Sequence, residues 1–145
     1  MQALPHHYKA GASAQPDSNV QISAAELPEL VSAPPAEFGG PGDQWSPESL
    51  LIAAVADCFT LTFRAIAANS RLAWTALECE VSGTLDRVDR VTQFTHVAVS
   101  AVLTVEPGTD IEKAEKLMHK AEQSCLISNS LKAERALEAT VTVAG

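Results

Sequence analysis

Ser46 to Asn69 reads SPESLLIAAVADCFTLTFRAIAAN, and this run limits the chain's options more than any other. Ser46 is placed to cap a helix, Pro47 suits the first helical position, and Glu48 puts a negative charge in the first turn. Apolar residues then follow almost without a break, so the spacing predicts a central helix with protein on most sides. At about 1.5 Å per residue it would reach roughly 36 Å, the width of a small domain. Its length alone would suit a membrane span, but Asp57 and Arg64 fall inside the run and each is costly in lipid. The run is therefore read as a core helix carrying one thiol, Cys58, and no membrane contact is expected.

The other segments arrange themselves around this helix. Residues 1–32 hold short apolar stretches on either side of Pro16–Asp17–Ser18–Asn19, a turn sequence, which predicts a hairpin of Tyr8 to Ser13 with Asn19 to Ser23. Residues 33–45 are rich in Pro and Gly and read as a connector anchored by Phe38 and Trp45. After the helix (46–69), Trp74 to Asp86 and Phe94 to Val105 both alternate apolar with polar residues, as a half-buried hairpin across 74–105 does. Cys79 falls on its apolar face, where a small buried thiol is ordinary. Thr109–Asp110–Ile111–Glu112 resembles a capping box and opens a second helix over 109–125. The stripe of that helix runs Ile111, Ala114, Leu117, Met118, Ala121 and ends at Cys125. Alternation resumes at 136–143 as a last strand. The order hairpin, long helix, hairpin, helix, strand predicts an α+β fold in one domain over 1–145, with a mainly antiparallel sheet.

Several function classes are disfavoured. The 145 residues carry a net charge of −8, which speaks against nucleic acid and anionic membranes as partners. Most of the excess lies in residues 1–57, where seven carboxylates accompany one cation, Lys9. CxxC, HExxH, P-loop and GxGxxG patterns are absent, so no cofactor and no metal is expected. His6 and His7 are adjacent and would point to opposite faces of a strand, which suits an exposed polar start better than a metal site. Three cysteines without a leader-like N-terminus lead to the expectation of a reducing cytoplasm.

What remains is thiol chemistry. Cys58 and Cys125 lie on separate helices, each on a face expected to be buried, and buried faces of one core tend to meet. Two such thiols are either ordinary core residues or a pair able to reduce a peroxide, one becoming a sulfenic acid and the other condensing with it.

SPESLLIAAVADCFTLTFRAIA resembles the signature helix of the OsmC/Ohr family, with its Pro-Glu, its Leu- and Ala-rich stretch and its aromatic-flanked cysteine. AEQSCLISNSLK resembles that family's second motif, and the two stand in the right order with a hairpin between them. The resemblance covers most of residues 45–143. It implies an OsmC-like intertwined homodimer with its site at the subunit interface, reducing organic or lipid hydroperoxides at the expense of an external thiol reductant. It implies Cys58 as the peroxidatic cysteine, Cys125 as the resolving one, and Glu48 as the carboxylate that holds an active-site arginine. The family supplies that arginine from its N-terminal hairpin, and this chain has no arginine before Arg64. A buried thiol with no cation beside it has a raised pKa. Lys9, Arg64 and His119 are the candidates for the missing cation; Arg64 faces a different side of the helix from Cys58, within reach of a partner's site. Two other readings compete: a non-catalytic dimer of the same fold that binds a small apolar ligand, and a redox sensor.

Overall fold

The computed structural model describes all residues, Met1–Gly145, and their contacts divide into two compact units, Met1–Leu50 and Leu51–Gly145. In the first, β1 (Gly11–Ser13), β2 (Val20–Ser23) and β3 (Leu30–Ser32) form a three-stranded antiparallel sheet in that order. The chain reverses between β1 and β2 at Pro16–Ser18, where the Ser18 N–H donates to the Gln15 carbonyl at 3.2 Å. β1 is shorter than the sequence suggests, and β3, only three residues long, has no room to show an alternation.

The connector closes on itself. Ser32 pairs with Trp45, and the Ala33 N–H donates to the Trp45 carbonyl at 2.8 Å. Trp45 thus fastens the connector through its backbone; its side chain is exposed, as is that of Phe38, so neither is the apolar anchor expected of it. A single 3₁₀ turn, Ala36–Phe38, ends at Gly39 with φ +84°, a left-handed conformation that glycine adopts without strain.

α1 (Pro47–Asn69) begins where Ser46 and Pro47 direct. The Ser46 hydroxyl accepts the Ser49 N–H at 3.1 Å while the Ser49 hydroxyl accepts the Ser46 N–H at 2.8 Å, a reciprocal cap with serine in the place usually taken by glutamate. Full burial is confined to one stripe at helical spacing: Val55, Phe59, Phe63 and Ala67. The all-round burial suggested by the apolar composition is not met within the chain, and Leu61 on the opposite side is 45% exposed.

In the second unit, β4 (Ala76–Val88) and β5 (Val91–Val105) pair antiparallel through a two-residue turn, Asp89–Arg90. Both turn residues have positive φ (50° and 68°), the twist that favours tight hairpins. β6 (Glu134–Val143) then joins the other edge of β5, parallel to it, giving the order β4-β5-β6. The inward residues of β5, Val97, Val99, Ala101, Leu103 and Val105, are the floor of the core. The α1 stripe and Ala114, Met118 and Ala121 of α2 (Ile111–Ser124) complete it. At Gly83 a Cβ would stand 2.5 Å from Ile52 Cδ1 and 2.9 Å from the Phe94 ring, so the missing side chain lets α1 and β5 close over β4.

The α2 cap differs in detail from the capping box. Asp110, not Thr109, is the cap, its carboxylate accepting the Lys113 N–H at 3.0 Å. Past α2, Cys125 is a single extended residue, and Leu126–Asn129 then form one further turn, α3. The sequence suggested only that a Ser/Asn-rich stretch ends the preceding helix.

Candidate functional site

Cys58 lies midway along α1, beside the buried stripe rather than in it, and is half-buried. Its sulfur is 3.8 Å from the hydroxyl of Thr62, one turn on. It faces the junction between α2 and α3. Burial is the largest influence on the Cys58 thiol and pushes its pKa up; the Ile127 N–H, the Cys125 thiol, the Thr62 hydroxyl and the Leu126 N–H together outweigh it and leave the pKa below the usual value. A thiolate fits this setting because several donors converge on one sulfur.

Cys125 is fully buried. Burial raises its pKa first, the negative charge favoured at Cys58 raises it further, and the N–H and hydroxyl of Ser128 act in the opposite sense. The pair is thus asymmetric, the Cys58 thiol the more acidic and the buried Cys125 thiol the less. The third cysteine is different in kind. Cys79, on β4, is pushed up to about 11 by burial, with smaller contributions from nearby Cys125 and Glu122, against a hydroxyl contact from Thr60.

Outside Cys58 lies a cavity of about 550 Å³. Its apolar lining comes from Ala54, Leu61, Ala65 and Ile66 of α1 and from Leu126 and Ile127 of α3; Asp57, Thr62, Asn69, Lys120 and Ser124 add polar groups. The thiol is thus open to a solute while apolar side chains flank its approach.

The candidate cations are distributed otherwise. Arg64 and His119 are exposed and line no part of this cavity; Lys120, beside His119 in sequence, does line it. Lys9 and Glu48 belong to the Met1–Leu50 unit. Lys9 is exposed ahead of β1. Glu48 borders a smaller cavity of about 270 Å³ with Val20, Ser32, Phe38 and neighbouring prolines, and its Oε1 is buried without a hydrogen-bond partner. The Leu126 and Ile127 amides were not legible in the sequence, because backbone donors have no side-chain signature. The one available sign was Ser128–Asn129–Ser130, residues that favour tight turns, directly after Leu126 and Ile127.

A family model described as "OsmC-like protein" matches residues 40–140, an interval that holds both Cys58 and Cys125. The chain belongs to the OsmC-like family. One relative, the "Uncharacterized protein YmaD" of Bacillus subtilis, is 31% identical over 149 aligned positions, 97% of each chain. Another, "Peroxiredoxin OsmC" of Escherichia coli, is 30% identical over 93 positions, 64% of each chain. Among solved structures, an "organic hydroperoxide resistance protein OsmC" from Legionella pneumophila superposes with a TM-score of 0.74 at 26% identity, covering 97% of this chain and 99% of that one. The OsmC-like fold therefore extends over nearly the whole chain, including the N-terminal strands that lie before the matched interval.

Proposed function

We propose that the protein is a thiol peroxidase that reduces organic hydroperoxides in oxidative stress defence, with Cys58 as the attacking thiol and Cys125 as the resolving one. The observation that carries this reading is the asymmetry of the pair: Cys58 is depressed and open to a cavity, while Cys125 is raised and buried against it. The peroxiredoxin and hydroperoxide-resistance names of its relatives point the same way.

In the proposed cycle the Cys58 thiolate attacks the outer oxygen of ROOH. The O–O bond breaks, the alkoxide takes a proton to leave as ROH, and Cys58 becomes a sulfenic acid. The Cys125 sulfur then attacks the sulfenic sulfur, water departs, and the disulfide is returned to two thiols by an external thiol reductant. The apolar cavity favours an alkyl or lipid tail over hydrogen peroxide, since each buried methylene contributes about 0.8 kcal/mol. Glu48 is proposed, as the family resemblance implies, to hold a cation, and its unpartnered Oε1 leaves it free to do so. Lys9, Arg64 and His119 remain candidates for that cation, now with Lys120 of the cavity lining. Assembly as a homodimer completes the reading, supported by the open apolar side of α1.

The test is intact mass and peptide mapping after one equivalent of cumene hydroperoxide, on the reduced protein and on Cys58→Ser. Loss of two hydrogens with a Cys58–Cys125 peptide, absent from the variant, is expected. A Cys58 that stays reduced for many minutes would overturn the assignment and leave a non-catalytic ligand-binding module.

A further inference from the structure

Three of the four groups that lower the Cys58 pKa lie in one short stretch, Cys125 to Ile127, with Thr62 of α1 the fourth, and that stretch is held from behind. Arg135, near the start of β6, donates from Nε to Glu122 Oε1 at 2.7 Å and from Nη1 to Asn129 Oδ1 at 2.6 Å. Its Nη2 donates to the Glu122 backbone carbonyl. That same carbonyl accepts the Cys125 N–H at 3.3 Å. One guanidinium therefore grips the last turn of α2 and the end of α3, with Cys125, Leu126 and Ile127 between its two points of hold. The pair is shielded: the side chains of Arg135 and Glu122 are 27% and 12% exposed.

We propose that Arg135 is a positioning residue for the thiol pair: by clamping residues 122 and 129 it fixes the amides of Leu126 and Ile127, and the Cys125 sulfur, against Cys58. Arg135 touches neither sulfur. Its fork geometry suits the task, because a planar guanidinium spreads donors to a carboxylate, a carbonyl and an amide oxygen over three nitrogens at fixed spacing, whereas lysine offers all its donors from one nitrogen. Burial raises the Cys58 pKa and these amides and the Cys125 thiol lower it, so a loosened segment costs the thiolate its stabilisation without any substitution at a residue that meets the sulfur. Of the other charged and titratable groups around Cys58, Asp57 on α1 and Lys120 on α2 are left in place, while the Cys125 thiol loosens with the clamped segment.

The inference rests on Cys58 being the reactive thiol, and its test is separable from turnover. The rate of Cys58 alkylation by iodoacetamide is followed against pH by peptide mass spectrometry in the wild type, Arg135→Met, Arg135→Lys and Asn129→Ala. Arg135→Met is expected to move the Cys58 profile upward by about one pH unit, roughly a tenfold slower reaction on its acid side. Arg135→Lys should recover part of that shift, and Asn129→Ala, which removes one arm of the clamp, should give a smaller shift of the same sign. A clamp that only stabilises the fold would lower the melting temperature and leave the profile on that of the wild type; that result overturns the proposal. Should Arg135→Met fail to fold, Asn129→Ala decides alone, and an unmoved profile overturns the proposal as well. Absent peroxide consumption with a shifted profile would count against the peroxidase reading and not against the clamp.

Discussion

Three thiols in one small unit are set to three different acidities by their immediate surroundings. Cys58, depressed by converging donors, keeps its thiolate as pH falls below the ordinary thiol range and loses it only below its own pKa. Cys79, raised to about 11, stays a thiol throughout the neutral range and ionises only in strong alkali. Labelling with iodoacetamide between pH 6 and 9 is therefore expected to modify Cys58 first and leave Cys79 unmodified, read peptide by peptide. Thr62→Val removes one donor to Cys58, and a net hydrogen bond of about 1 kcal/mol predicts an alkylation rate about fivefold lower at pH 7. An unchanged rate in that variant would remove Thr62 from the set of donors. At this scale the sequence shows which cysteines to consider, because Cys58 and Cys125 sit in recognisable motifs. It hides why Cys58 is acidic. Two of the groups that lower the Cys58 pKa are the backbone amides of Leu126 and Ile127, and backbone donors leave no mark in a sequence.

Among the elements, boundaries marked by side-chain chemistry were legible and pairing directions were not. Ser46 and Pro47 place the start of α1 to the residue, and Asp110 caps α2 even though its partner is the Lys113 N–H. Asp110→Ala should cost about 0.5–2 kcal/mol, seen as a lower urea midpoint with unchanged slope. The alternation at 136–143 told which side chains face inward, yet a period of two is the same for parallel and antiparallel strands, so the parallel seat of β6 beside β5 could not be read. The connector gives a sharper test. A Cβ at Gly40 would fall on the Pro34 carbonyl oxygen, so Gly40→Ala must displace backbone. Faster protease nicking within residues 33–45 is expected, and cleavage at the wild-type rate would show that the loop accommodates the methyl group.

For the molecule as a whole, the decisive feature is an α1 helix more apolar than its own chain can cover. Four residues of its stripe are fully buried, while Leu61 at 45% exposure and Leu126 at 65% remain open beside the thiol cavity. Such a surface is what the proposed homodimer would cover. Sedimentation velocity should find a dimer at micromolar concentration, and Leu61→Lys should shift it toward monomer; a wild type that stays monomeric at high concentration would sink the proposed assembly. The length of the apolar run was plain in the sequence. Which half of it meets the core was not, because Ala and Leu occupy both sides.

The parallel seat of β6 also bears on the order in which the protein forms. β4 and β5 are joined by two residues and pair from local contacts, whereas β6 must wait for the α2 and α3 crossover before it can lie beside β5. Arg135 arrives only with that final strand. A chain leaving the ribosome thus carries Cys58 through some 69 further residues before the Leu126 and Ile127 amides exist. If the proposed Arg135 clamp holds, Cys58 gains its full acidity only when that last stretch docks, and a chain still short of β6 would carry a duller thiol.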